Sequence, residues 1–295
     1  MATAIAACVT LFACHLSGLS VSPDSANLLA LYALVIAIAL YLDPVPFGRV
    51  AVAADALILF LVISGLGAVA SYVGMKQSGT LTDSLLDQAD RAMGFSWTAI
   101  RAWVEQTPVL ISVLTHAYNL CTPMPLLIVA LLCATHRSDR CYRFLKLFAV
   151  ALVVTLAVAL FFPAIAAFAF YGYSPVPQNA LHYGEIIAGL RDGSLTAIDL
   201  RNLGGILTFP SFHATMAILF AWALWPIRQA RAAATIANGL MLVAAVPIGG
   251  HYGVDILGGS LIAVAAILFV GGTQGNAVAA PRVQPPAPIA DQPAH

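Results

Sequence analysis

The sequence predicts an all-α polytopic membrane protein, a bundle of about eight transmembrane helices, and three observations carry that expectation. Hydrophobic residues make up 61% of the 295 and charged residues 9%, with a mean hydropathy of +0.91. That leaves too little polar surface to solvate a globule of this size. Apolar runs near the roughly 20 residues needed to cross hydrocarbon recur along the chain. The short loops between them carry lysine and arginine on alternate sides. The 13 basic and 13 acidic residues cancel, so there is no basic field to attract nucleic acid.

Taken in order, the runs fall at 2–20, 26–42, 50–74, 108–133, 143–171, 211–227, 232–249 and 252–272. In hydrocarbon their backbone groups must bond internally, so each reads as a helix. The first run lacks a positive leader and a second run follows the turn Ser22-Pro23-Asp24, which favours a span over a cleaved signal. Segment 79–106 alternates Leu81, Leu85, Leu86, Met93, Trp97 and Trp103 with Asp83, Asp87, Asp90, Arg91 and Arg101. It reads as an amphipathic helix broken near Gly94, with tryptophans suited to the headgroup layer. Segment 171–209, with a helical stretch over 180–191 and a turn at Asp192-Gly193, is the natural lid. After Gly272 the chain turns to Gln, Ala, Val and five prolines, a composition that cannot pack a core. Three regions follow: N-terminal helices over 1–49, a membrane domain over 50–273, and a disordered Pro-rich tail over 274–295. Cys8, Cys14, Cys121, Cys133 and Cys141 show no C-x-x-C spacing and read as free packing residues.

Arg137, Arg140, Arg143 and Lys146 crowd the loop after the fourth run, Arg228 and Arg231 flank the turn between the sixth and seventh, and Arg49 follows the second. The positive-inside rule makes these loops cytoplasmic. Alternation then sends 75–107, 172–210 and 249–252 to the other side, together with the mouths of the sixth and eighth runs.

Those two mouths hold the candidate chemistry. In Thr208-Phe209-Pro210-Ser211-Phe212-His213, proline suits the first turn of a helix and Thr208 or Phe209 sits where the cap belongs. Free N–H groups at Phe212 and His213 would attract an anion, Ser211 could donate to a phosphate oxygen, and His213 could protonate a departing alkoxide. In His251-Tyr252-Gly253-Val254-Asp255 the carboxylate four residues on can hold one ring nitrogen and leave the other free to attack phosphorus. Gly249-Gly250 would let the backbone approach a phosphate closely. A carboxylate just inside an apolar run is costly without a partner or a task. His116, Tyr118 and Asn119, inside the fourth run, either line a cavity or bond between helices. His182 and Glu185 supply two ligands, too few for a metal.

With "LLDQADRAMGFSW", "AYNLCTPMPLL", "FFPA", "LRDGSL", "GILTFPSFHA" and "GGHYGVDILGG", the chain over roughly 80–272 resembles the phosphatidic acid phosphatase type 2 superfamily, in the branch of inositol phosphorylceramide synthase and the sphingomyelin synthases. The resemblance implies a six-helix catalytic core in which His213 is the acid for the leaving group, His251 the nucleophile and Asp255 its orienting carboxylate. The superfamily's Lys-x6-Arg-Pro motif is missing before Pro210, its Ser-Arg pair is replaced by Ala244 and Ala245, and its usual glycine by Phe212. Arg191 and Arg201 are the nearest substitutes in sequence for the missing cations, with Lys76, Arg91 and Arg101 next. The expected activity is hydrolysis of a lipid phosphomonoester or pyrophosphate through a phosphohistidine, with no metal and no cofactor. Transfer of a phospho-headgroup to a lipid hydroxyl is one alternative, and a catalytically inactive transporter or scaffold is another. The expected setting is a bacterial inner membrane with the site facing the periplasm.

Overall fold

The computed structural model describes residues 10, 13–25, 27, 48–173 and 178–272. The expected span 26–42, most of 2–20 and the tail 274–295 lie outside the described residues. What is described is helical, as predicted. α1 (Gly48–Gln77) is followed by two short amphipathic helices, α2 (Asp83–Ala92) and α3 (Trp97–Glu105). The break between them falls where it was expected, at Gly94, whose φ of 79° only glycine adopts without strain. α4 (Pro108–Asn119) and α5 (Met124–Ala134) take the place of a single helix over 108–133. They bend by 57° at Thr122-Pro123, because proline has no N–H and clashes with the preceding turn.

α6 (Ser138–Phe161) ends ten residues before the expected 171. Pro163 stops it, and the unwound backbone is taken up by other elements. Thr82 donates its N–H and hydroxyl to the Pro163 carbonyl at 2.8 and 3.0 Å, and Thr208 donates its hydroxyl to the Ala164 carbonyl at 3.1 Å. After a four-residue turn of helix, α7 (Ala167–Phe170), come α8 (Gln178–Asp192), α9 (Phe212–Leu224), α10 (Arg228–Ala244) and α11 (Gly253–Gly272). One element was not expected: β1 (Ser20–Val21) pairs in parallel with β2 (Ala197–Ile198), tying the N-terminal region to the segment after α8.

By length and composition, three described helices, α1, α6 and α11, suffice to cross a membrane, and α4 with α5 is a fourth if the bent pair counts as one span. Six spans were expected over 50–272. The shortfall lies in α9 and α10, of 13 and 17 residues. Pro210 and Pro226 bound α9, which at 1.5 Å per residue is only about 20 Å long. α9 is nevertheless the centre of the bundle, packed against α5, α6, α10 and α11, with Leu219, Phe220 and Ala223 fully buried among Phe144, Phe148 and Leu132. The basic loop sits at its far end, where Arg140 donates to the Trp222 and Ala223 carbonyls, opposite His213.

Two glycines let α11 meet the start of α9. A Cβ on Gly259 would stand 2.0 Å from the Ser211 carbonyl oxygen, and one on Gly258 would meet Pro210 and Phe209. Thr215 closes the contact by donating its hydroxyl to the Gly259 carbonyl at 2.9 Å. Gly259→Ala should therefore lower stability by about 1–3 kcal/mol, read as thermal unfolding in detergent. Gly239→Ala on α10, where an added Cβ meets nothing within 4 Å, should leave it unchanged or slightly raised. Equal effects of the two substitutions would contradict this packing.

Candidate active site

The turn between α10 and α11 brings His251 into the bundle with 4% of its surface exposed, and Asp255, one turn into α11, is fully buried. His251 Nδ1 lies 3.3 Å from Asp255 Oδ2, and the same oxygen accepts the Tyr252 N–H at 2.9 Å. Asp255 thus caps its own helix while it orients the ring. A proton on Nδ1 facing Asp255 would put the lone pair on Nε2; the ring also bonds the Thr208 backbone. Burial pulls the His251 pKa below its usual value and the hydrogen bond to the Thr208 backbone opposes the fall, a balance that favours the neutral imidazole. The two glycines before it are packed against aromatic rings. An added Cβ at Gly249 would stand 2.7 Å from the Tyr118 ring, and one at Gly250, where φ is 71°, 2.3 Å from Phe168. They admit two aromatic rings of the protein.

α9 presents His213 to the same place. The His213 and His251 ring centroids are 5.8 Å apart, and the Ser211 N–H donates to the Asp255 carbonyl at 3.0 Å. The cap of α9 is Ser211, not Thr208 or Phe209: its hydroxyl accepts the Ala214 N–H at 3.3 Å. Proline therefore precedes the cap and does not occupy the first turn. Ser211 is fully buried, and its hydroxyl acts first as this cap. Phe212 and His213 open the helix, so their N–H groups have no acceptor within it. Tyr118, on the last turn of α4, stacks on His213 at 4.3 Å between centroids and 19° between planes.

The feature that sequence reasoning missed is the frame around the His251 turn. Asp90 of α2 accepts the Gly253 and Val254 N–H groups at 2.7 and 2.8 Å, which caps α11 from 163 residues away. Asp83 accepts the Tyr252 hydroxyl at 3.0 Å and the Ile165 N–H at 3.1 Å. Burial raises both carboxyl pKa values, and the backbone donors oppose the rise. Trp97 of α3 donates its indole N–H to the Val246 carbonyl at 2.9 Å, and Arg101 donates to the Pro247 carbonyl at 2.8 Å. Trp97 is therefore not a headgroup residue; it is 1% exposed, while Trp103 on the opposite face is 64% exposed. A signal was present. Asp83, Leu86 and Asp90 are spaced to share one helix face, so the carboxylates lie on the face that buries Leu86.

The candidate cations are engaged with other partners. Arg191 donates to the Ser78 hydroxyl and the Gly79 carbonyl, at 3.2 and 2.9 Å. Arg201 pairs with Asp199 and Asp24, at 2.9 and 3.3 Å. Both are exposed, and phosphate binding would require them to leave these partners. Arg91 pairs with Asp87. Arg101 is buried in the frame, with Glu105 at 2.9 Å. Among the described residues no group of three or more His, Cys, Asp or Glu is placed to hold a metal. The side chain of His182 lies outside what is described, and Cys14, Cys121, Cys133 and Cys141 are free, as expected.

A family model described as the PAP2 superfamily matches residues 85–269, a stretch that runs from α2 into α11 and includes His213, His251 and Asp255. No curated protein and no solved structure matches the chain.

The frame makes a prediction. Asp90→Ala leaves two N–H groups at the mouth of α11 without their acceptor, and should cost about 1–3 kcal/mol and most of the activity. Gln88→Ala, on the exposed side of α2, should change neither. Detergent thermal melts and a turnover assay on the two variants check this, and a stable, fully active Asp90→Ala would contradict the frame.

Proposed function

Because the chain belongs to the PAP2 superfamily, whose members are phosphatase- and phosphotransferase-type lipid enzymes, we propose that it hydrolyses the phosphate ester of a membrane lipid through a phosphohistidine at His251. The observation that carries this reading is the convergence of His213, His251 and Asp255 on two adjoining helix mouths. His251 Nε2 attacks phosphorus while Asp255 holds Nδ1. The P–N bond forms as the P–O bond to the lipid alkoxide breaks, and His213 gives that oxygen its proton. A water molecule then attacks the phosphohistidine, gives its proton to the now neutral His213 and releases phosphate. The opening N–H groups of α9 and its helix dipole face the charge that the phosphate brings.

The lysine and arginine distribution supports a site at the non-cytoplasmic face, since the histidines lie at the end of α9 opposite Arg140; the membrane we propose is a bacterial inner membrane. A second reading, transfer of a phospho-headgroup to a lipid hydroxyl, is favoured by one observation. Among the described residues, neither His213 nor His251 has a lysine or arginine among its hydrogen-bond, ion-pair or ring partners. A phosphodiester with one charge needs fewer cations than a phosphomonoester with two. Purified protein given a panel of lipid phosphates and phospholipids, with a labelled lipid alcohol present, separates the two readings. Hydrolysis predicts release of inorganic phosphate from a monoester and an unlabelled lipid phosphate pool. Label in a new phospholipid would replace hydrolysis by transfer.

The two histidines should also separate by leaving group. His213→Ala should lose about a hundredfold or more on a lipid alkoxide and be partly rescued by a p-nitrophenyl ester, whose leaving group departs without a proton. His251→Ala should be inactive on both. Equal loss on both substrates in His213→Ala would contradict its role as the acid.

A further inference from the structure

We infer that Tyr118 is the positioning residue for the acid, holding the His213 ring so that its proton reaches the leaving oxygen; the inference rests on the proposed role of His213. The nucleophile has its own orienting carboxylate in Asp255, and that carboxylate is committed to His251 Nδ1 and the Tyr252 N–H. His213 has a different neighbour. Its imidazole lies nearly parallel to the Tyr118 ring, with centroids 4.3 Å apart, and the tyrosine hydroxyl is 3.4 Å from Nδ1. With the planes only 19° apart, this contact is made mainly through the ring face and not along the nitrogen lone pair. An aromatic face does two things that the acid needs. It fixes the imidazole plane, and its negative quadrupole favours the protonated ring, against the burial and the neighbouring His251 that disfavour it. With Nδ1 turned toward the tyrosine, Nε2 is the atom that hands over the proton.

The rest of the site is built around this stack. Tyr118 sits in the last turn of α4, just before the bend at Pro123, so the bend fixes where the ring projects. α4 packs along α10, which leads into the nucleophile turn. Gly249 in that turn leaves room for the ring, since a Cβ there would stand 2.6 Å from the Ala245 carbonyl oxygen and 2.7 Å from Tyr118 Cε2. The glycine that precedes the nucleophile by two residues thus serves the acid, and the two halves of the chemistry meet at Tyr118.

The test compares Tyr118→Leu and Tyr118→Phe on a lipid substrate and on a p-nitrophenyl ester, with His213→Ala and the double variant beside them. Tyr118→Leu should lower kcat about tenfold to a hundredfold on the lipid substrate, with KM unchanged and less than about threefold loss on the ester. Tyr118→Phe keeps the ring face and should retain most activity on both. Tyr118→Leu should cost nothing further once His213 is alanine, because the two act as one unit. If the leucine variant does not fold, Tyr118→Met, whose flexible chain fills irregular gaps, replaces it with the same expectation. Equal loss on both substrates in the Tyr118 variants, while His213→Ala stays selective, overturns this inference alone, as does an additive loss in the double variant. A His213→Ala enzyme that loses both substrates equally overturns the acid itself and this inference with it.

Discussion

The backbone N–H groups at the mouth of α11 are buried and must find an acceptor. Asp90 supplies it by bonding Gly253 and Val254. An uncapped helix end in a buried setting leaves polar groups unpaired at a cost of several kcal/mol in sum, so α2 cannot be separated from α11 without that loss. Tyr252 adds a second tie to α2 through Asp83, and α3 grips the preceding turn through Trp97 and Arg101. The two surface helices are thereby part of the site's foundation. With its backbone groups occupied on this side, the mouth of α11 offers side chains to a substrate, and the open N–H groups belong to α9.

That division assigns different work to the two helix mouths. α11 carries a histidine already paired with a carboxylate, suited to attack. α9 carries a histidine stacked on a tyrosine, with the helix dipole behind it. Gly258 and Gly259 let the two mouths meet, and the short α9, bounded by prolines, ends where the chemistry must be. A helix of 13 residues does not cover the full hydrocarbon thickness.

Much of this was legible in the sequence because it follows from local rules. Composition gave the membrane class, His-x-x-x-Asp gave a pair on one helix face, and Gly94 marked a break. Helix lengths were less legible. A run such as 143–171 is apolar throughout, and only the shape of Pro163 and the partners waiting for its backbone decide that α6 ends at Phe161. The frame was hidden for a further reason. Asp83 and Asp90 look like a solvated face until their acceptor role across more than 160 residues is known, and no local pattern encodes that distance. Arg191 and Arg201 were singled out by nearness in sequence, yet Arg191 is held by Gly79, 112 residues away, and Arg201 by its near neighbour Asp199 together with the distant Asp24. The glycines before His251 have Tyr118 and Phe168 beside them, neighbours that no local pattern announces.

The central claim is that His251 becomes the phosphorylated residue, and acid-quenching conditions must be avoided because phosphohistidine is acid-labile. The direct measurement is a millisecond mixing experiment with a phosphorus-labelled lipid substrate, stopped in base and followed by peptide mapping. The account predicts transient label on His251, stable to base and lost in acid, absent from His251→Ala and slower to form in Asp255→Asn. Turnover by the His251→Ala enzyme, or label on any other residue, would contradict it.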